Sequence, residues 1–165
     1  MKHKVYLSLG SNLGNKIQNL QIAKSEIELQ IGKIISTGGI YETEPWGFEN
    51  EHWFLNTVIE IETDYNALEV LKICLQIEEN MGRIRDTSQN GYTARIIDID
   101  LLFFDDEIIN LPELSVPHPH IQSRNFVLYP LAEIAENYIH PKLNMPIKVL
   151  LEKSKDDTQI KKINP

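Results

Sequence analysis

The chain has one cysteine, Cys74, among 165 residues. An internal disulfide is therefore excluded, and no cysteine–histidine array is present for structural zinc. Long apolar runs are also missing. The most apolar window, IIDIDLLFF at 96–104, is broken by two carboxylates and falls far short of a membrane span. The start, MKHKVYLSLGSN, lacks both an extended apolar stretch and a small-residue cleavage site, so it does not read as a signal peptide. Positive charge is scarce: 16 Lys+Arg stand against 24 Asp+Glu, a net −8 with a pI near 5.1. This balance argues against nucleic acid and anionic lipid as partners, and a polyanionic ligand needs local cations or metal ions to overcome it. Glycine and proline, at 8 each, are too few for a collagen-like or low-complexity chain. These absences lead to the expectation of a soluble, reduced, cytoplasmic protein.

What is present fits one globular domain over 1–165. KVYLSLG (4–10) is short and β-branched and ends in glycine, which predicts a strand. After the turn GSNLGN, the residues Ile17, Leu20, Ala23, Ile27 and Ile31 fall on one helical stripe closed by Gly32. IISTGGIYET (34–43) reads as a strand made irregular by Gly38-Gly39, and 44–53 as a loop rich in aromatic and acidic residues. Residues 54–64 alternate, with Leu55, Thr57, Ile59 and Ile61 on one face and Asn56, Val58, Glu60 and Glu62 on the other. A second helix is predicted from about Asn66 to Met81, on the stripe Leu68, Leu71, Leu75 and Glu78, with Gly82 ending it. A polar stretch, 83–95, precedes a strong strand over 95–105, with EIIN (107–110) as its short partner. Residues 117 to about 140 read as mostly helical, interrupted at Pro119 and Pro130, and the tail from about 152 as frayed. The order βαββαβ implies an α+β fold of ferredoxin-like type, with both long helices on one face of the sheet and a helical appendage after it. No apolar stripe is left over, so a monomer is expected.

Chemistry concentrates in a few places. Asp98 and Asp100 flank Ile99 in the strong strand, so both carboxylates face one way. Taken alone, the pair reads equally well as two solvated acids on an open sheet face. The helices should cover the opposite face, leaving the acids as a floor, and two adjacent oxygen donors suit Mg²⁺ completed by water and phosphate. Arg83, Arg85, Arg95 and Arg124 lie around them in sequence. Any one of these would ordinarily be a surface cation, but together with the acids they make a phosphate site. Tyr41, Trp46, Phe48, Trp53 and Phe54 crowd ring surface into and beside the 44–53 loop, enough to hold a flat ligand, with the amide of Asn56 nearby to read its edge. His118 and His120 lack a third soft ligand, so zinc is not indicated. Cys74 is expected to be buried and inert. A ring-sensing module without turnover and an RNA-binding domain are the competing classes; the acid–arginine set argues against the first and the acidic balance against the second.

In order along the chain, GSNLGN, YETEPWG with FLN, GRIR, ARIIDIDLLFF and VPHPHIQSRNFVLYPLAEIA resemble the 6-hydroxymethyl-7,8-dihydropterin pyrophosphokinase family of folate biosynthesis. The resemblance implies a ferredoxin-like fold and transfer of diphosphate from ATP to the pterin hydroxymethyl group, releasing AMP. It implies that Asp98 and Asp100 hold two Mg²⁺ ions, and that Thr43, Trp46, Phe54, Asn56 and Phe126 form the pterin pocket. It further implies that Arg83, Arg85 and Arg95 are catalytic cations, and that Glu78, Arg85, Arg95, His118 and Arg124 meet ATP. Two positions depart from the family pattern. Asn90-Gly91-Tyr92-Thr93-Ala94-Arg95 stands where members often carry Trp ahead of Gly-Pro-Arg, and Phe54 replaces the Tyr of some members. The 44–53 and 83–95 loops are expected to act as lids.

Overall fold

Alternation decides which side of each strand meets which helices. In the computed structural model, which describes residues 2–44, 53–82 and 96–164, β4 (Phe54–Thr63) is the spine of an antiparallel sheet. On one side it pairs with β1 (His3–Ser11), which pairs in turn with β5 (Asp98–Phe104) at the edge. On its other side lie β2 (Gly32–Thr37), opposite the second half of β4, and β3 (Ile40–Thr43), opposite its first residues. The break between β2 and β3 is at Gly38-Gly39, as the sequence predicts. A Cβ on Gly38 would sit 2.6 Å from the Pro130 carbonyl oxygen, so the bend requires a residue with no side chain.

The helix α1 (Lys16–Gln30) starts at Asn15, whose side chain accepts the Gln18 N–H at 3.1 Å. Its predicted stripe is the buried one at Leu20, Ala23 and Ile27. The stripe predicted for α2 (Ala67–Asn80) is different from the observed one. Ala67, Val70, Cys74 and Ile77 are buried, whereas Leu68 is 43% exposed. A capping box between Asn66 and Glu69 fixes the start of α2, so the rotation follows from where the chain enters the helix. Leu71, Leu75 and Glu78 turn instead toward a cleft.

Side chains of α1 and α2 join Val5, Leu7 and Leu9 of β1, Ile59 and Ile61 of β4, and Ile99 and Leu101 of β5 in one core. On the opposite face, α3 (Asn125–Ala135) and α4 (Ile147–Lys153) cover Tyr6, Val58, Leu102 and Phe103. A bulge opposite Tyr6/Leu7 interrupts strict alternation in β5, placing both Leu102 and Phe103 on that side. Sequence reasoning expected this face to be open. It is covered over Tyr6, Val58, Leu102 and Phe103, lines a cleft at Asp98, Asp100, Ser8 and Asn56, and is exposed again at Lys4.

Three further differences concern the last third. EIIN does not extend the main sheet: β6 (Ile109–Asn110) pairs with β7 (Ser115–Val116) in a separate ribbon. Pro130 lies inside α3 without ending it, and Ile121–Ser123 form only a 3-10 turn. The tail expected to fray carries β8 (Ile160–Ile163), which pairs with β3 because that strand would otherwise leave an unpaired sheet edge.

Candidate functional site

The open part of the sheet is the floor of a cleft of about 1000 Å³. One row across that floor follows the strand register: Asp98 on β5, Gly10 on β1, Asn56 on β4 and Tyr41 on β3. The next row sets Asp100 beside Ser8. The small residues Gly10 and Ser8 leave the two carboxylates standing above the sheet, each partly exposed, with Ile99 buried between them. Gly10 is inside the strand rather than at its end, and its role is spatial. A Cβ there would lie 2.8 Å from Asn56 Oδ1, so the missing side chain makes room for the amide. Asn56 is buried, and its Nδ2 donates to Thr43 Oγ1 at 3.0 Å, which sets the orientation of the amide.

Among the described residues β5 is the edge strand of the sheet, and α2 packs beside it. Glu78 is 2% exposed, and its Oε2 accepts the Ile99 N–H at 2.7 Å, midway between the two aspartates. The predicted inert cysteine is at this junction. Burial pushes the Cys74 thiol pKa up, and the charges of Glu78 and Asp100 push it further in the same direction.

The far wall comes from the segment after β7. The His118 N–H donates to the Leu102 carbonyl at 3.0 Å, which lays the segment against β5. His118 Nδ1 accepts the His120 N–H at 3.1 Å, so its own proton is on Nε2. Burial, with smaller contributions from Arg124 and His120 and against the pull of Asp98, lowers its pKa to about 4. At neutral pH it is an uncharged Nε2–H donor. The Arg124 guanidinium lies 5.7 Å from the centroid of the Phe126 ring, within cation–π range.

Thr43, Phe54, Asn56, Glu78, Asp98, Asp100, His118, Arg124 and Phe126 all line this one cleft. Of the remaining sequence candidates, Trp46, Arg83, Arg85 and Arg95 lie outside the described residues, as does Tyr92. Sequence reasoning missed Ser8, Leu71 and Leu75, and placed Gly10 in the GSNLGN turn with only a minor prospect of ligand contact; all four are on the cleft surface. The two leucines had a visible signal in the second apolar stripe of α2; the place of Gly10 on the floor had none without the strand register. Among the described residues no group of three or more His, Cys, Asp or Glu is arranged to hold a metal ion. The carboxylate pair still fits Mg²⁺, which is ordinarily held by one or two carboxylates and completes its shell with water and phosphate.

Fold and cleft together define a small-molecule site: an antiparallel α/β domain with an acidic floor, aromatic residues on its walls and a buried amide. The chain belongs to the 7,8-dihydro-6-hydroxymethylpterin-pyrophosphokinase family, whose pattern matches residues 6–136. It is 38% identical over 143 residues to the 2-amino-4-hydroxy-6-hydroxymethyldihydropteridine pyrophosphokinase of Porphyromonas gingivalis, covering 86% of this chain and 97% of the relative. The enzyme of the same name from Aquifex aeolicus is 40% identical over 146 residues, covering 87% and 88%. The folic acid synthesis protein FOL1 of Dictyostelium discoideum is 41% identical over 141 residues, 86% of this chain but 21% of that longer protein. The fold matches the crystal structure of Plasmodium falciparum HPPK-DHPS at TM-score 0.74 and 23% identity, over 92% of this chain. This chain spans 43% of that two-part structure. No helix among the described residues is long and apolar enough to cross a membrane.

Proposed function

We propose that the protein transfers diphosphate from ATP to 6-hydroxymethyl-7,8-dihydropterin, giving AMP and the pterin diphosphate, as a step of folate biosynthesis. The observation that carries this reading is the convergence of side chains from β3, β4, α2, β5 and α3 on one cleft with an acid pair at its floor. In architecture we read the βαββαβ order as ferredoxin-like, with α3 and α4 as the appendage. We take the protein to act as a cytoplasmic monomer.

In the proposed reaction the hydroxymethyl oxygen attacks the β-phosphorus. The bond from that phosphorus to the α–β bridging oxygen breaks, and AMP leaves with that oxygen. The hydroxyl proton passes to solvent water, and no side chain forms a covalent intermediate. Asn56, fixed by Thr43, recognises the polar edge of the pterin, and Phe54 and Phe126 contact its ring. Trp46 belongs to the same pocket on sequence grounds. His118 donates from Nε2 and Arg124 from its guanidinium to the nucleotide, near Glu78, while Arg83, Arg85 and Arg95 neutralise charge on the transferring and leaving groups. Asp98 and Asp100 would hold two Mg²⁺ ions, which when bound offset phosphate charge and acidify the attacking hydroxyl.

The test is to incubate the protein with ATP, Mg²⁺ and 6-hydroxymethyl-7,8-dihydropterin and to quantify AMP against pterin diphosphate. One-to-one formation, abolished by excess EDTA and restored by Mg²⁺, is expected. Binding of both compounds with no AMP would overturn the transferase reading in favour of a sensing module.

A further inference from the structure

The tail that follows α4 joins two walls of the cleft. Its side chains alternate: Ser154, Asp156, Thr158 and Ile160 turn inward, while Lys155, Asp157, Gln159 and Lys161 are exposed. The family match ends at residue 136, so this segment belongs outside the shared pattern. At one end it reaches the start of α3. Arg124 precedes that helix without a capping side chain, and the deficit is made good from a distance. Asp156 Oδ2 accepts the Asn125 N–H at 2.9 Å, and Asn125 Nδ2 donates to the Asp156 carbonyl at 3.0 Å. Asn125 is the residue between Arg124 and Phe126, both on the cleft surface. Asp156 is itself held: its Oδ1 accepts the Thr158 N–H at 3.0 Å and the Thr158 hydroxyl. Burial would raise its pKa, but the bonds from Thr158 and Asn125 hold the carboxyl below its usual range.

At the other end the segment grips β3. Gln159 N–H donates to Glu44 Oε1 at 3.1 Å, and Glu44 N–H donates to the Gln159 carbonyl at 3.3 Å. Ile160 then pairs with Thr43, the residue that orients Asn56. Lys162 meets Glu133 of α3, whose Oε1 accepts the Gly39 N–H at 2.8 Å. The two walls therefore share one span of chain.

We propose that residues 154–163 are a strap that positions both walls of the cleft, Thr43 with Asn56 on one side and Arg124 with Phe126 on the other, and that Asp156 is its anchoring residue. The proposal rests on the transferase reading for the identity of the ligands. The full-length protein and its Asp156→Ala and Asp156→Asn variants are compared by steady-state kinetics in both substrates. Calorimetry with the pterin alone, and with an ATP analogue plus Mg²⁺, gives affinities without turnover. Asp156→Ala is expected to raise both KM and both Kd values about tenfold, the scale of one lost charge-assisted hydrogen bond. Asp156→Asn keeps an acceptor for the Asn125 N–H and should recover most of that loss, while Glu28→Ala, exposed on α1 and outside the strap, should change nothing. A protein that is merely less stable loses active molecules, which lowers kcat and leaves KM where it was. Unchanged KM and Kd values in Asp156→Ala therefore overturn the strap. Should that variant fail to fold, Thr158→Val is expected to shift the same constants by a smaller factor, and no shift there overturns the strap as well. Wild-type protein that binds both compounds without forming AMP defeats the transferase reading, whereas a normal wild type with indifferent variants defeats the strap alone.

Discussion

The two faces of the central sheet are built from the same strands and do opposite work. On the α1/α2 side the alternate residues Val5, Leu7 and Leu9 of β1, Ile99 and Leu101 of β5 and Ile97 just before it are all apolar and buried. On the α3/α4 side the intervening residues change character halfway along: Tyr6, Val58, Leu102 and Phe103 are sealed under helices, whereas Ser8, Asn56, Asp98 and Asp100 are on the cleft. Burying that second set would strand polar and charged groups without water, a cost the covering helices could not offset. The polar half of one face is thus where a packed layer must stop, and the site occupies the place where it stops.

Adjacent residues of β5 allow this contrast to be broken. The largest effect is expected for Asp100→Ala, and for Asp98→Ala by the same argument. AMP formation should fall by about a thousandfold or more, roughly 4 kcal/mol of transition-state stabilisation, while the fold stays intact. Near-normal turnover in either variant would end the assignment of that carboxylate to Mg²⁺. Ile99→Ala should do the reverse. Its side chain is 5% exposed in the α1/α2 core, so the loss is expected near 3 kcal/mol, or roughly 6–12 °C in melting temperature for a chain of this size. Its backbone N–H still reaches Glu78, so turnover per folded molecule should hold well below the transition. Matching losses of activity and stability in all three variants would erase the distinction between the faces.

How much of this was legible in the sequence depends on the range of the interaction concerned. Alternation in 54–64 and the Gly38-Gly39 break were readable because a strand's two faces and a glycine's lack of a side chain are local properties. The pairing of Asp98 with Asp100 was readable for the same reason. What covers each face was not, because α3 and α4 choose their place by the apolar residues of β1, β4 and β5 together. The buried stripe of α2 was misassigned since Leu71 and Leu75 are as apolar as Val70 and Ile77, and only the cap at Asn66 settles the rotation. The tail read as frayed because its charges hide an alternation whose partners, Asn125 and Thr43, are 31 and more than a hundred residues away. Gly10 is the clearest case: its contact with Asn56 exists only through the register of β1 against β4.

Gly10→Ala sharpens the comparison on the open face alone. The added methyl would sit 2.8 Å from Asn56 Oδ1, closer than real contacts allow, so the amide must leave the orientation that Thr43 holds. The kcat/KM for the pterin should fall about tenfold, or roughly 1.4 kcal/mol, with the KM for ATP unchanged and the fold intact. In an Asn56→Ala background the same substitution should cost little, and a full additional loss there would mean that the methyl strikes the ligand directly.

The smallest expected effect comes from the sealed half of that face. His140 is buried against the edge of Phe103, with ring centroids 5.3 Å apart. Its Nδ1 accepts the N–H groups of Lys142 and Leu143 at 3.2 and 3.0 Å. Burial, with a further push from Lys142, lowers its pKa below 6.5, the value it regains on unfolding. Protonation would turn that acceptor into a donor facing two donors. Between the depressed pKa and about 6.5 the unfolded chain binds the extra proton, so stability falls as pH drops through this window and levels off beneath it. The slope from one histidine is at most about 1.4 kcal/mol per pH unit. Denaturant unfolding at pH 7.5 and at pH 5.5 should show the difference shrinking in His140→Gln relative to wild type. The share of the difference that His140→Gln removes should be the same in the Asp98 and Asp100 variants, since this proton enters under α3 and α4, whereas His118, with its pKa lowered to about 4, adds a separate share from the cleft. An unchanged pH response in His140→Gln would mean that the helices on the sealed half do not exclude water from this ring.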